Sequence, residues 1–204
     1  MKTITRWSLR LYLPVILYSV FALIKATVGD LPPDLGGMHA TLGVTFITGG
    51  MLICYCAAFV RSNFQDIKEG ALPIRFWVLS SLLFLVLFYD AGFGIHERMP
   101  LLGLPEFSFF LLEGAILVSI IAPYRNQLCL NFLALFTAFA LAAGIAILGD
   151  ASPSGEGTFV FRGVIHSYEQ TLETLSMFLL LAAYASQAES EFSLFLLNKT
   201  QSVE

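Results

Sequence analysis

Long apolar runs, separated by short polar stretches rich in Pro and Gly, set the pattern of this chain. Six runs approach the ~20 residues that a helix needs to cross about 30 Å of hydrocarbon. They cover 11–28, 38–60, 74–97, 107–122, 128–148 and 163–187. The breaks carry turn chemistry: Pro32 and Pro33 within 29–34, the polar stretch 61–73, Pro100 and Pro105 within 99–105, Pro123 within 123–126, and the Gly-rich 149–157. This pattern predicts an all-α, polytopic integral membrane protein, a six-transmembrane-helix bundle forming one membrane domain over 1–204. A C-terminal tail, 188–204, carries Phe192, Leu194, Phe195, Leu196 and Leu197 and reads as a short amphipathic helix able to lie on the membrane surface.

Composition strengthens the membrane reading. Of 204 residues, 57% are hydrophobic and 13% charged, against roughly 25% charged in a soluble domain. That leaves too little polar surface to face water on every side. The net charge of −4 excludes nucleic acid as a partner, because no basic stripe exists to release phosphate counterions. Cys54, Cys56 and Cys129 form no disulfide framework. Cys54 and Cys56 lie about 200° apart on a helix, so they suit neither a redox pair nor a shared metal and read as small fillers.

Basic residues give the orientation. Lys2, Arg6, Arg10, Arg61, Lys68, Arg75, Arg125 and Lys199, eight of the eleven, fall on one side, and Lys25, Arg98 and Arg162 on the other. Both termini are therefore expected in the cytoplasm, with the chain in a bacterial inner (plasma) membrane. The apolar stretch after the N-terminal Lys/Arg residues is long and reads as a retained first span rather than a cleaved leader. The fifth span, free of ionisable residues, is expected to face lipid.

Ionisable groups inside a bilayer cost several kcal/mol unless paired, hydrated or metal-bound, which makes them candidates for function. With this orientation they concentrate in the extracytoplasmic half: His39 at the start of the second span, Asp90, His96 and Glu97 at the end of the third, Glu113 in the fourth, and His166, Glu169 and Glu173 in the sixth. If the third span is helical throughout, Asp90 and Glu97 share a face, whereas His96 points about 120° away from Asp90 and need not join it. His166, Glu169, Gln170 and Glu173 fall within an arc of about 100°. An outward-opening pocket follows, with Asp90, Glu113, Glu169 and Glu173 at its floor and His39, His96, Glu97 and His166 near its mouth. Gly36, Gly37, Gly43, Gly49, Gly50, Gly92 and Gly94 are expected to let helices approach closely, and Tyr89 and Tyr168 could donate hydrogen bonds into the pocket.

Several carboxylates cannot all stay ionised in a low-dielectric site, so either protons are shared or a cation compensates. Carboxylates and imidazoles from different helices suit a divalent transition metal such as Fe, Mn or Zn. The leading expectation is a membrane-embedded, metal-dependent enzyme, a hydrolase or di-metal oxidoreductase, acting on a lipid or small lipophilic substrate. Asp90 and Glu113 would be catalytic, with His166, Glu169, Glu173, Glu97, His96 and His39 as metal ligands. A cation or proton transporter using the same carboxylates, and an accessory subunit of a larger membrane complex, are the competing classes. The bland counterpart is an interhelical hydrogen-bond network that only fixes packing, with Arg98 and Arg162 as counter-ions and Glu97 and His96 as a solvated helix end. The chain has neither the His-x-x-x-His of membrane hydrolases nor a Gly-x-Ser-Gly nucleophile motif.

Overall fold

The computed structural model describes residues 35–63, 71–105, 107–150 and 159–201, and within these the side chains of 42–63, 71–91, 93–96, 98–105, 107–147 and 171–193. Among the described residues all regular structure is helical: α1 (Leu35–Asn63), α2 (Ile74–Phe93), a 3-10 helix (His96–Leu102), α3 (Phe107–Ile121), a 3-10 turn (Ala122–Tyr124), α4 (Leu130–Asp150) and α5 (Phe159–Gln201). Among the described residues four segments are long and apolar enough to cross a membrane: Leu42–Asn63, Ile74–Ala91, Phe107–Tyr124 and Leu130–Ile147. These correspond to the second through fifth predicted spans, and α5 contains the sixth. The predicted first span, 11–28, lies outside the described residues.

Local chemistry sets the helix ends. Pro73, extended at φ −69° and ψ 154°, precedes the first residue of α2, where a fixed φ and a missing N–H cost nothing. At its other end Gly94 takes the left-handed conformation (φ 58°, ψ 52°) and returns its N–H to the Asp90 carbonyl. A glycine in this position is the common stop for a helix. The expected third span is therefore cut short at Phe93, and residues 94–97 leave the helical wheel on which Asp90 and Glu97 were placed together. At α4 the Cys129 thiol sulfur accepts the Phe132 N–H at 3.4 Å, taking up one of the donors that a helix start leaves free. α5 runs without a break through 43 residues, about 65 Å at 1.5 Å per residue. Residues 188–201 of the expected tail are therefore helical and continue α5 without a break.

α1 packs against both α2 and α5, α4 packs along α5, and α3 rests on α2. Lipid tails are as apolar as Leu, so close packing and interhelical hydrogen bonds hold such a bundle together. Gly50 is buried against Phe84: a Cβ there would lie 2.3 Å from the Phe84 ring. A Cβ added at Gly49 would meet Leu181 at ordinary contact distance, and one added at Gly43 would meet nothing within 4 Å, so the expected close approach holds at one end of this glycine series. Tyr184 of α5 anchors a buried aromatic layer, stacked on Phe76 and edge-on to Phe84 and Phe132. Its hydroxyl accepts a 3.0 Å hydrogen bond from Ser80. Cys54 is buried and Cys56 exposed, on opposite sides of α1, and with Cys129 all three are free thiols. Only 17% of the α4 span is buried, the least of the four, in keeping with the lipid-facing expectation.

Candidate functional site

The reversal at Gly94 carries the chain back over the end of α2. His96 then offers both its backbone N–H and its ring Nδ1 to the Asp90 carboxylate, at 2.8 Å each to different oxygens. Asp90 is only 5% exposed, so this double engagement supplies the partners that a buried carboxylate requires. The imidazole lies against Phe110 of α3, with ring centroids 4.6 Å apart. A carboxylate on one ring nitrogen fixes the tautomer and orientation of the imidazole. His96 thus joins Asp90, contrary to the expectation that it points away. The reason is that the helix has already ended at Phe93, three residues before it.

Glu113, one turn further along α3 than Phe110, completes the group. It is 7% exposed, and its Oε1 atom is buried with no hydrogen-bond partner among the described residues. Asp90 and His96 are near enough for their charges to act on it. Glu113 also lines a cavity of about 700 Å³ between α2, α3, α4 and α5, whose other walls include Leu87, Phe110, Leu117, Phe139, Ala143 and Met177. Pockets that hold small organic ligands span roughly 300–1,000 Å³ and are mostly apolar with a few placed polar groups. Among the described residues this one has a single ionisable side chain on its wall. The cavity exists because α3 leans on α2 while α4 leans on α5, leaving a gap between α3 and α4.

The structure brings together three of the eight predicted site residues: Asp90, His96 and Glu113. Glu173 is exposed on α5 and does not form part of a buried floor. The side chains of His39, Glu97, His166 and Glu169 lie outside the described residues. Among the described residues no group of three or more His, Cys, Asp or Glu side chains could hold a metal ion, so the metal-ligand set expected from the sequence has no support there. Tyr89 is about half exposed and stacks on Phe93, away from Asp90 despite its neighbouring position.

A second polar cluster, absent from the sequence reading, lies at the opposite end of the bundle. Arg61 at the end of α1 donates to the carbonyls of Leu72 and Ala71, at 3.2 and 3.4 Å. The Leu72 N–H and the Gln187 side-chain amide both donate to Glu191 Oε1, at 3.2 and 3.1 Å. Gln187 in turn accepts the Cys129 N–H at 2.8 Å. One chain of hydrogen bonds therefore ties the α1–α2 connection, the start of α4 and the far part of α5. Burial pushes the Glu191 carboxyl above the ordinary range, against the opposing pull of Gln187, Leu72 and the Arg61 charge. The Trp77 indole N–H is buried close to Glu191 but outside hydrogen-bonding geometry. A cavity of about 20 Å³ lies between Trp77, Arg61 and Glu191. The sequence signal was present in the Gln187 and Glu191 spacing of four on one helix face. It was obscured by placing the end of the span at Gln187.

Neither the curated proteins nor the solved structures compared with the chain include a match. A family model described as Domain of unknown function (DUF8692) matches residues 11–188, most of the chain, and the protein belongs to that family.

Proposed function

We propose that the protein is a six-span membrane enzyme, with both termini in the cytoplasm of a bacterial cell, that acts on a lipid or small lipophilic substrate in the extracytoplasmic half of the inner membrane. The observation that carries this reading is Glu113: a buried carboxylate with an unpartnered oxygen on the wall of an otherwise apolar cavity. An unpaired buried acceptor costs about 1–3 kcal/mol, and a substrate group that donates to it recovers that cost on binding. Glu113 is the proton-transferring group at the polar end of the substrate. Asp90 is a positioning residue, holding His96 by ring and backbone beside Glu113. A metal-assisted form of the reaction would draw its remaining donors from His39, Glu97, His166 or Glu169.

A transporter is disfavoured by the packing between the two polar ends. Phe76, Phe84, Phe132 and Tyr184 are fully buried in one layer, and among the described residues that layer holds no acid to carry an ion across it.

Comparing the lipids of membranes that hold the wild-type protein or Glu113→Gln tests the reading. A lipid that accumulates with the variant and disappears with the wild type is the expected result. Identical lipid profiles, with both proteins present at equal levels, would remove the enzyme assignment. Orientation is read separately, with Ser62→Cys and Leu101→Cys in a background lacking the native cysteines. An impermeant maleimide added outside should label position 101 and spare position 62.

A further inference from the structure

Resting on the lipophilic-substrate reading above, the charge distribution around the α3–α4 cavity narrows the class of ligand. We infer that the cavity takes a single-chain amphiphile whose polar end is an ammonium group, seated against Glu113 with its chain along the α3–α4 gap.

Three observations combine. First, Asp90 already has its counterpart in His96, which engages both of its oxygens, whereas Glu113 Oε1 has no partner among the described residues. Second, among the described residues no Lys or Arg lines the cavity, so an ammonium at that wall supplies both a full positive charge and the missing donor. A charge-assisted N–H···O bond is about twice as strong as a neutral one, and a fatty acid would bring a second negative charge to the same spot. Third, the gap is open space rather than tight helix packing. Gly114 on α3 and Gly144 on α4 both line the cavity, and a Cβ added to either would meet nothing within 4 Å. An unbranched chain fits between two such walls, and the apolar lining of Leu117, Phe139 and Ala143 matches its chemistry.

The test uses the purified full chain in nanodiscs of zwitterionic lipid, with tritiated dodecylamine as probe and unlabelled dodecylamine, dodecanol and dodecanoate as competitors. Dodecylamine should compete at roughly tenfold lower concentration than dodecanol, with dodecanoate weakest. Glu113→Gln should bring dodecylamine down to the level of dodecanol. Gly144→Phe, which projects a ring into open space, should abolish saturable binding of the amine while leaving the elution profile of the protein unchanged. Equal competition by amine and alcohol in the wild type, or an amine preference that survives Glu113→Gln, overturns the ammonium assignment. If equal competition is still lost in Gly144→Phe, the lipophilic-substrate reading stands without it. No saturable binding of any of the three compounds overturns both.

Discussion

Adding one methyl group at Gly50 tests the packing that holds α1 against α2. The new Cβ would sit 2.3, 2.4 and 2.9 Å from three atoms of the Phe84 ring, the two nearest more than 1 Å inside the optimum of about 3.5–4.0 Å between carbons. Phe84 is fully buried and edge-on to Tyr184 at 5.2 Å, so the ring has no free direction of retreat. Overpacking of this kind costs about 1–3 kcal/mol. Against it, Ala is favoured over Gly in a helix interior by about 1 kcal/mol. Gly50→Ala should therefore destabilise the bundle by up to about 2 kcal/mol. The sharper expectation is a change of sign: in a Phe84→Leu background the clash is gone, and the same Gly50→Ala substitution should stabilise by about 1 kcal/mol. Unfolding free energies of the four proteins in micelles, measured by steric trapping, give the coupling, expected at about 1–3 kcal/mol. The reasoning fails if Gly50→Ala has the same effect with and without Phe84.

Other expectations concern the two polar ends. Asp90→Ala leaves the His96 N–H and ring without their acceptor and should destabilise the Gly94–Gly103 turn by about 1–3 kcal/mol. Faster amide exchange at His96 reads this, and Asp90→Asn, which keeps one acceptor, should lose less. Glu191→Ala strands the Leu72 N–H and the Gln187 amide and should cost about 1–3 kcal/mol. Glu191→Gln retains an acceptor for both and should be close to neutral at pH 7. Because the folded chain holds the Glu191 proton more tightly than the unfolded chain does, stability falls as pH rises from the ordinary Glu value of about 4.3 through the raised folded one, then levels off. Glu191→Gln should remove that slope, and a slope that persists in the variant refutes the assignment. Removing the Ser80–Tyr184 bond by Tyr184→Phe and Ser80→Ala should give a coupling of about 0.6 kcal/mol in a double-mutant cycle. Purely additive effects would mean that the 3.0 Å contact contributes nothing.

Helix positions were the most legible part of the chain, because apolar runs of spanning length bounded by Pro and Gly have few other interpretations. Within the site, Glu113 could be found from sequence for a related reason: an acid in the middle of an apolar run must be buried against protein or water. Its neighbourhood could not. Placing His96 by helical angle assumed that α2 continues, and the Gly94 cap changes the direction of everything after it. A glycine near the end of a helical pattern, with Pro100 soon after, was the available warning. The Arg61–Glu191 cluster was hidden for a different reason. In sequence Arg61 reads as a topogenic charge, and the acceptors that hold it include two backbone carbonyls, which leave no trace in residue identity. Glycine counts were equally mute about purpose: Gly50 permits contact, while Gly114 and Gly144 border a void.

The uninterrupted length of α5 bears on how its distal part behaves. Starting a helix is the unfavourable step, and adding residues to one already formed is far easier. The segment beyond Gln187 grows from a turn that the bundle holds rigid through Tyr184 and the Cys129 N–H. It therefore needs no initiation of its own, and its order should decay progressively with distance from that anchor. Deuterium uptake should rise residue by residue beyond Glu191, which the Leu72 N–H still ties to the bundle, toward Gln201, without the single cooperative step of an independent element.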